Sequence, residues 1–432
     1  MNIIETTKDK EIFLNYWNTE PCLIIPIWCD LEKHPMNNEI SFLYVRFRDD
    51  ETDQGQMPMD WILPYNHNDC EQLILDISHS IQQKKVWNKK GLLQTNLNIQ
   101  NTYDLQTEIF FNTHTLLELD LKLEVLTNFY TRMGLRDDLG KSISIMKWNE
   151  VLRGITQPIS ETLVHSISDS WINNTMIPTL SRIEQMGINV VTEKFIDRWS
   201  SAQKHLLGET VFTEYNPYTL TSRPSNRHGG VNYGALNKSD GTREIFVPRE
   251  NTMFLQFDYD AYHVRIIGDL IKYELPTTSA HQWLADQYGC GYAESKGITF
   301  QLLYGGINDE ARKIPFFEQT DIFIQTLYNQ ALIDGYITTS KGRKIMLNWI
   351  ENHNAQKVFN YLLQATETEL NIEIIKKLHD SGFYQMILYT YDSFLFEYQL
   401  STTTDKAKQI KTILESFGFP VKASWGSDYS KV

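Results

Sequence analysis

Two aspartates stand at the tips of short apolar runs in the C-terminal half of the chain: Asp258, closing Met253-Phe-Leu-Gln-Phe-Asp, and Asp392, following Met386-Ile-Leu-Tyr-Thr-Tyr391. A carboxylate near an apolar core costs several kcal/mol unless something pairs with it. A divalent metal shared between two such groups, far apart in sequence, is the simplest reason to keep both. Between them lies Lys296-Gly-Ile-Thr-Phe300-Gln-Leu-Leu-Tyr304-Gly305. On a helix, Lys296, Phe300 and Tyr304 form one stripe. A cation followed by two aromatics suits a ligand that carries phosphate and a flat ring, as a nucleotide does. Against this stand the ordinary roles: Asp as a helix cap or turn residue, and an amphipathic helix with a solvated Lys and two core aromatics.

The elements that must position these groups belong to a folded chain. Its 432 residues exceed a single hydrophobic core, and 41% hydrophobic with 12% aromatic content excludes disorder. No apolar run reaches the length of a membrane span. The N-terminus lacks the features of a signal peptide, and Cys22, Cys29, Cys70 and Cys290 show neither disulfide nor zinc spacing. A reducing cytoplasm is therefore the expected compartment. The net charge of −14 argues against a protein that coats DNA non-specifically, while leaving room for a local basic groove.

Strand-like runs (Cys22-Leu-Ile-Ile-Pro-Ile-Trp28 and Ile40-Ser-Phe-Leu-Tyr-Val-Arg-Phe47) and a helical run from Glu71 to Lys84 give residues 1–125 an α/β pattern. Residues 126–210 read as mostly helical, with an amphipathic helix from Pro178 to Met186 stopped by Gly187. Strands and helices alternate again across 211–432, after a long polar loop from Tyr218 to Leu236. The stretch from Thr277 to Asn329 reads as helical.

In that order, the half from Met176 to Val432 resembles the polymerase domain of family-A DNA polymerases, especially divergent phage versions. Phe257-Asp258-Tyr259-Asp260-Ala261-Tyr262-His263-Val264-Arg265 resembles their first palm motif, and Lys296-xxx-Phe300-xxx-Tyr304-Gly305 their fingers-helix motif. Tyr391-Asp392-Ser393 stands where the family has His-Asp-Glu. Thr221-Ser-Arg223, Gly335-Tyr-Ile-Thr-Thr-Ser-Lys-Gly342-Arg343 and Asn360-xxx-Gln364-Ala-Thr366 resemble three further segments in the family order. Each is weak alone, and six in sequence are strong.

The resemblance implies an α/β (α+β) multidomain fold: an RNase H-like domain at 1–125, a helical connector with a reduced thumb at 126–210, and a right-hand palm and fingers at 211–432, fingers at about 276–330. It implies two Mg²⁺ ions on Asp258, Asp392 and the carbonyl of Tyr259, with Lys296 as a catalytic triphosphate contact. His263, His281, Phe300 and Tyr304 would meet the nucleotide. Arg223, Arg343, Asn360 and Gln364 would meet DNA, whose minor-groove acceptors are nearly alike for all base pairs. Arg265 is expected to pair within the palm. The implied partners are primer–template DNA, dNTPs and a processivity factor or other replisome protein. The compact layout points to viral replication in a host cytoplasm.

Four departures from the family follow. Tyr292 replaces the arginine four residues before Lys296, so one triphosphate contact is missing or supplied elsewhere. His263 replaces the glutamate that blocks a ribose 2′-hydroxyl, which predicts weaker sugar selection. Little chain separates the segment ending at Gly187 from the expected palm strand at Val211, leaving no room for a long thumb. In the N-terminal region Trp87-Asn88-Lys89-Lys90-Gly91-Leu92 lacks the metal-binding Asp of the exonuclease motif. Asp30-Leu31-Glu32 and His165-xxx-Asp169 echo two others, and the exonuclease is expected to be inactive. A ribonucleotide-using relative and a non-catalytic DNA-binding accessory on the same fold are the competing readings.

Overall fold

The computed structural model describes residues 2–4, 6–18, 22–28, 33–47, 60–64, 68–95, 97, 99–116, 170–226 and 230–432. They fall into two compact units: Met1–Gln185 with Lys204–Leu207, and Met186–Gln203 with Gly208–Val432. Each is a mixed α/β assembly. Among the described residues no helix is long and apolar enough to cross a membrane.

The first unit is built on six strands: β1 (Asn2–Ile3), β2 (Cys22–Trp28), β3 (Ile40–Phe47), β4 (Asp60–Pro64), β5 (Lys84–Val86) and β6 (Thr102–Asp104), in the order β1-β4-β3-β2-β5-β6. Strands β2, β3 and β4 form an antiparallel meander, and β5 and β6 run parallel to β2. Every residue of β2 is buried, as its unbroken apolar sequence requires. Helices α1 (Thr7–Trp17) and α2 (Asn68–His79) contribute Phe13, Trp17, Leu73 and Ile77 to the same core as Ile24, Val45 and Trp61.

Helix α2 ends earlier than its apolar pattern predicts. The Nζ of Lys84 reaches back to donate to the carbonyls of Ser80 and Gln82, both at 2.8 Å. The lysine thereby becomes the buried first residue of β5 instead of the last turn of a helix. The segment Trp87–Leu92 forms the short α3 (Lys89–Leu92), followed by α4 (Leu105–Thr113) and α5 (Ile177–Glu184). Lys90 Nζ donates to the buried Glu184 at 2.6 Å, and the Lys89 backbone N–H donates to the buried Asp104 at 2.8 Å. Asp30, Leu31, Glu32, His165 and Asp169 lie outside the described residues, as does most of the expected connector.

In the second unit Gly187, at φ 60°, turns the chain after α5. Val211 lies in a two-residue pairing with Ile188, not in the main sheet that its apolar run suggests. That sheet has four antiparallel strands. Strand β7 (Thr252–Tyr259) is central and is followed by α6 (Tyr262–Leu270). Helices α7 (Ala280–Tyr288), α8 (Tyr292–Gly305) and α9 (Pro315–Asp334) come next, and then the hairpin β8 (Tyr336–Thr338) and β9 (Lys344–Met346). The long α10 (Ala355–Asp380) leads to β10 (Met386–Thr390), β11 (Ser393–Gln399), α11 (Thr403–Leu414) and β12 (Val421–Gly426).

The strand order is β10-β11-β7-β12. Phe254, Leu255 and Phe257 of β7 are fully buried, so both faces of the strand are covered up to its last turn. At the end of the strand Asp258 stands opposite Ser393 on one side and Lys422 on the other.

Candidate active site

The two aspartates meet because β7 and β11 end together. The backbone N–H of Tyr259 donates to the carbonyl of Asp392 at 3.0 Å, fixing the turn that carries Asp392 against the end of β7. Two non-glycine residues hold left-handed backbone angles beside these carboxylates: Ala261 at φ 51° and Tyr391 at φ 59°. Such angles are uncommon for non-glycine residues and persist where the surroundings over-determine them. Tyr391 is fixed from two sides. The Arg223 guanidinium lies 3.5 Å from its ring centroid, and Asn371 Nδ2 donates to its carbonyl at 2.6 Å.

A cleft of about 450 Å³ opens above this point. Its walls include Asp258, Tyr259, His263, His281, Lys296, Phe300, Tyr304, Asp392 and Arg223, nine of the residues singled out by sequence. The helix stripe is as expected, with Tyr292 heading it and Lys296, Phe300 and Tyr304 following at four-residue steps along α8. Phe300 is 48% exposed, although large apolar side chains are usually buried, and it stacks on Tyr304 with ring centroids 5.9 Å apart. The opposite side of α8 buries Ser295 and Leu302.

Three expected DNA contacts lie outside the cleft lining. Arg343 donates from Nη1 to the carbonyl of Leu220 at 2.7 Å, anchoring the loop that carries Arg223. Asn360 and Gln364 sit half-buried along α10. They belong to a longer polar row, Gln356, Asn360, Gln364, Glu367 and Asn371, at helical spacing on that helix. Gln356 donates to the carbonyl of Leu303 in α8. Asn371, fully buried, accepts from the Tyr262 hydroxyl at 2.8 Å and donates to the Tyr389 hydroxyl at 3.0 Å.

Glu367 is a functional candidate that motif spacing does not reveal. It is 2% exposed and lines the cleft with Asp258 and Asp392. Arg223 Nε lies 3.0 Å from its Oε2, and His263 Nε2 lies 3.1 Å from its Oε1. These are ion-pair distances whose angles fall short of hydrogen bonds. His263 turns its Nδ1 to the Tyr304 hydroxyl. A continuous relay thus runs from Tyr304 on α8, through His263 on α6 and Glu367 on α10, to Arg223 and Tyr391. Its one sequence signal is the helical spacing Asn360, Gln364, Glu367.

Desolvation among the cleft walls, followed by the negative field of Glu367 and with Asp258 adding to it, pushes the Asp392 carboxyl up to about 6. Its side chain is nevertheless exposed by area. The neighbouring carboxylates are therefore the cause that persists when water fills the cleft. A folded-state value above the unfolded one means the ionised form weakens the fold: fully above about pH 6, and not at all below the ordinary carboxylate range. In metal-free buffer at pH 7, Asp392→Asn should therefore stabilise the protein by about 1 kcal/mol after allowance for solvent screening, or about 2–4 °C in Tm. Thermal melts should show the gain shrinking as the pH falls toward 4. An equal or lower Tm at pH 7 contradicts this electrostatic picture.

No protein-family model matches the chain, and no curated protein does. Among solved structures it is similar to the polymerase domain of Pol1 from M. smegmatis, determined in complex with DNA primer-template and dNTP. The TM-score is 0.69 and the identity 12%, over 100% of both chains. The fold is similar to that of a DNA polymerase domain. At this identity the likeness establishes architecture; the chemistry rests on the cleft.

Proposed function

We propose that the chain is a template-directed DNA polymerase of the family-A type that extends a primer 3′ end with deoxynucleotides. The observation that carries this reading is a single cleft that gathers Asp258 and Asp392 with the Lys296–Phe300–Tyr304 face of α8. The donor set fits magnesium. Mg²⁺ usually takes one or two carboxylates plus substrate phosphates and water. Among the described residues no group of three or more His, Cys, Asp or Glu is arranged to hold an ion without such help. Asp258, Asp392 and the Tyr259 carbonyl would hold two ions, which when bound activate the primer hydroxyl and stabilise the leaving pyrophosphate.

The remaining work falls to the chain's own groups. The 3′-oxygen attacks the α-phosphorus, a new P–O bond forms, and pyrophosphate departs with the electrons of the broken bond. Lys296 places positive charge beside the triphosphate, and Phe300 with Tyr304 offers the face on which the new base pair packs. Arg223, tied to Glu367, would stand at the primer–template, with Asn360 and Gln364 farther along α10. Primer extension tests this reading: template-encoded growth of a labelled primer with dNTPs and Mg²⁺ supports it, and no growth by the native chain ends it.

His263 gives one observation in favour of ribonucleotide use. It is held by Tyr304 and Glu367, so a ribose 2′-hydroxyl would meet a fixed imidazole that can share a hydrogen bond. In single-turnover incorporation, ATP should be accepted within about a hundredfold of dATP. Rejection as strict as in glutamate-bearing relatives would remove the idea.

For the first unit we propose a degenerate, RNase H-like exonuclease domain. Its mixed sheet, an antiparallel meander extended by two parallel strands, supports the fold. Asp104 accepts backbone hydrogen bonds and Glu184 pairs with Lys90, which supports a structural role for these buried carboxylates. Between Gly187 and Val211 the longest helix is Thr192–Arg198. That supports a reduced thumb, and a weaker grip on the product duplex is our ground for a processivity partner.

A further inference from the structure

We propose that Lys422, with Lys296 and His281, forms a cationic cradle for the triphosphate tail of the incoming nucleotide. Lys422 would then bring the positive charge that an arginine would carry at the position held by Tyr292. The inference rests on the polymerase reading and assigns a residue to it that no sequence motif indicates.

Three observations carry it. First, Lys422 lies on the edge strand β12 directly across from Asp258 in an antiparallel register. Directly opposed residues project from the same face of a sheet. Its side chain therefore leaves the same face of the sheet as the aspartate expected to hold metal, and it lines the same cleft as Lys296. Second, Lys422 forms a salt bridge to Asp260, at 2.6 Å, while its side chain stays 64% exposed. Asp260 also pairs with Arg265 at 3.2 Å, so this single carboxylate is shared between two cations and offsets Lys422 only in part. Third, His281 lines the cleft, is 6% exposed, and has an Nδ1 with no hydrogen-bond partner. A buried polar atom left unpaired costs about 1–3 kcal/mol, and a ligand oxygen or its bound water would satisfy it.

The field agrees with the geometry. Burial, then the charge of Lys296, with Lys422 and Arg265 adding and Asp260 opposing, holds His281 below its ordinary value. Lys296 Nζ stands 4.9 Å from the Tyr292 ring centroid, so the tyrosine occupies the ground between the cations without adding charge. The cleft is thus bipolar. Asp258, Asp392 and Glu367 make one part acidic, suited to cations. Lys296 and Lys422 make another basic, suited to a multiply charged phosphate chain.

The test is single-turnover extension of a primer–template by dATP opposite template T, using the full chain and its Lys422→Ala, Lys422→Gln and Lys422→Arg variants. Lys422→Ala should raise the half-saturating dATP concentration about tenfold, with the maximal rate within about twofold of native. Lys422→Gln, which retains a hydrogen bond to Asp260, should show the same rise, and Lys422→Arg should recover most of it. Primer–template affinity, read by anisotropy, should not move. A native half-saturating concentration in the Ala and Gln variants overturns the cradle while leaving the polymerase reading intact. A lower maximal rate at unchanged half-saturation, or weaker DNA binding, also overturns it, because either marks a structural role through Asp260. If the native chain itself adds no dAMP, the polymerase reading fails and the cradle with it.

Discussion

Asp392→Asn is expected to abolish primer extension, lowering the rate by about a thousandfold or more. The substitution keeps the shape of the side chain and removes its charge. The hydrogen bond from the Tyr259 N–H to the Asp392 carbonyl does not involve the side chain, so the hairpin turn should stay in place. In metal-free buffer at pH 7 the variant should also melt higher than the native protein, since the ionised carboxyl is disfavoured where it stands. Lost activity in a fold of undiminished stability is the signature of a missing metal ligand. Extension that persists in Asp392→Asn would show that the two-carboxylate assignment is wrong. A native chain that binds DNA without extending it would favour the accessory reading, and extension with NTPs but not dNTPs the ribonucleotide one.

Glu367→Ala is expected to destabilise the second unit by about 3 kcal/mol. Removing one member of a buried ion pair leaves its partners desolvated and unpaired, which costs about 3–5 kcal/mol. The lower end applies because the Arg223 side chain is 28% exposed and can recover some hydration, whereas His263, at 12%, recovers less. An opposing gain comes from relieving the repulsion between Glu367 and Asp392. We expect it to be the smaller effect, since Asp392 reaches solvent and a proton can neutralise it. Urea denaturation of Glu367→Ala and His263→Ala, singly and combined, should show strong coupling between the two positions. Additive losses, or an unchanged Glu367→Ala midpoint, would mean the relay from Tyr304 to Arg223 does not hold the cleft together.

Much of this site was legible in the sequence because it is written at element ends. Asp258 and Asp392 interrupt apolar strand runs, and the stripe Lys296, Phe300, Tyr304 follows helical spacing. What stayed hidden depends on neighbours that are distant along the chain. Glu367 sits in Thr366-Glu367-Thr368-Glu369, which reads as an exposed helix surface until α10 is found buried beneath the cleft. Lys422 sits on a largely exposed edge strand, and only the register places it opposite Asp258. Arg343 donates to the carbonyl of Leu220, a contact 123 residues away along the chain that no local pattern announces. Local pattern likewise overextends α2, because the reach of Lys84 back to Ser80 and Gln82 leaves no trace in periodicity. The antiparallel meander of the first unit is readable from its apolar runs, while the parallel strands β5 and β6, of three residues each, are too short to announce themselves.

The most direct test is a crystal structure of the chain with a dideoxy-terminated primer–template, the complementary dNTP and Mn²⁺ in place of Mg²⁺, with the metals located by anomalous scattering. Two peaks about 4 Å apart are expected between the Asp258 and Asp392 carboxylates, with the triphosphate running from them toward Lys296. Metal bound elsewhere with these carboxylates empty, or a triphosphate lying away from α8, would contradict it.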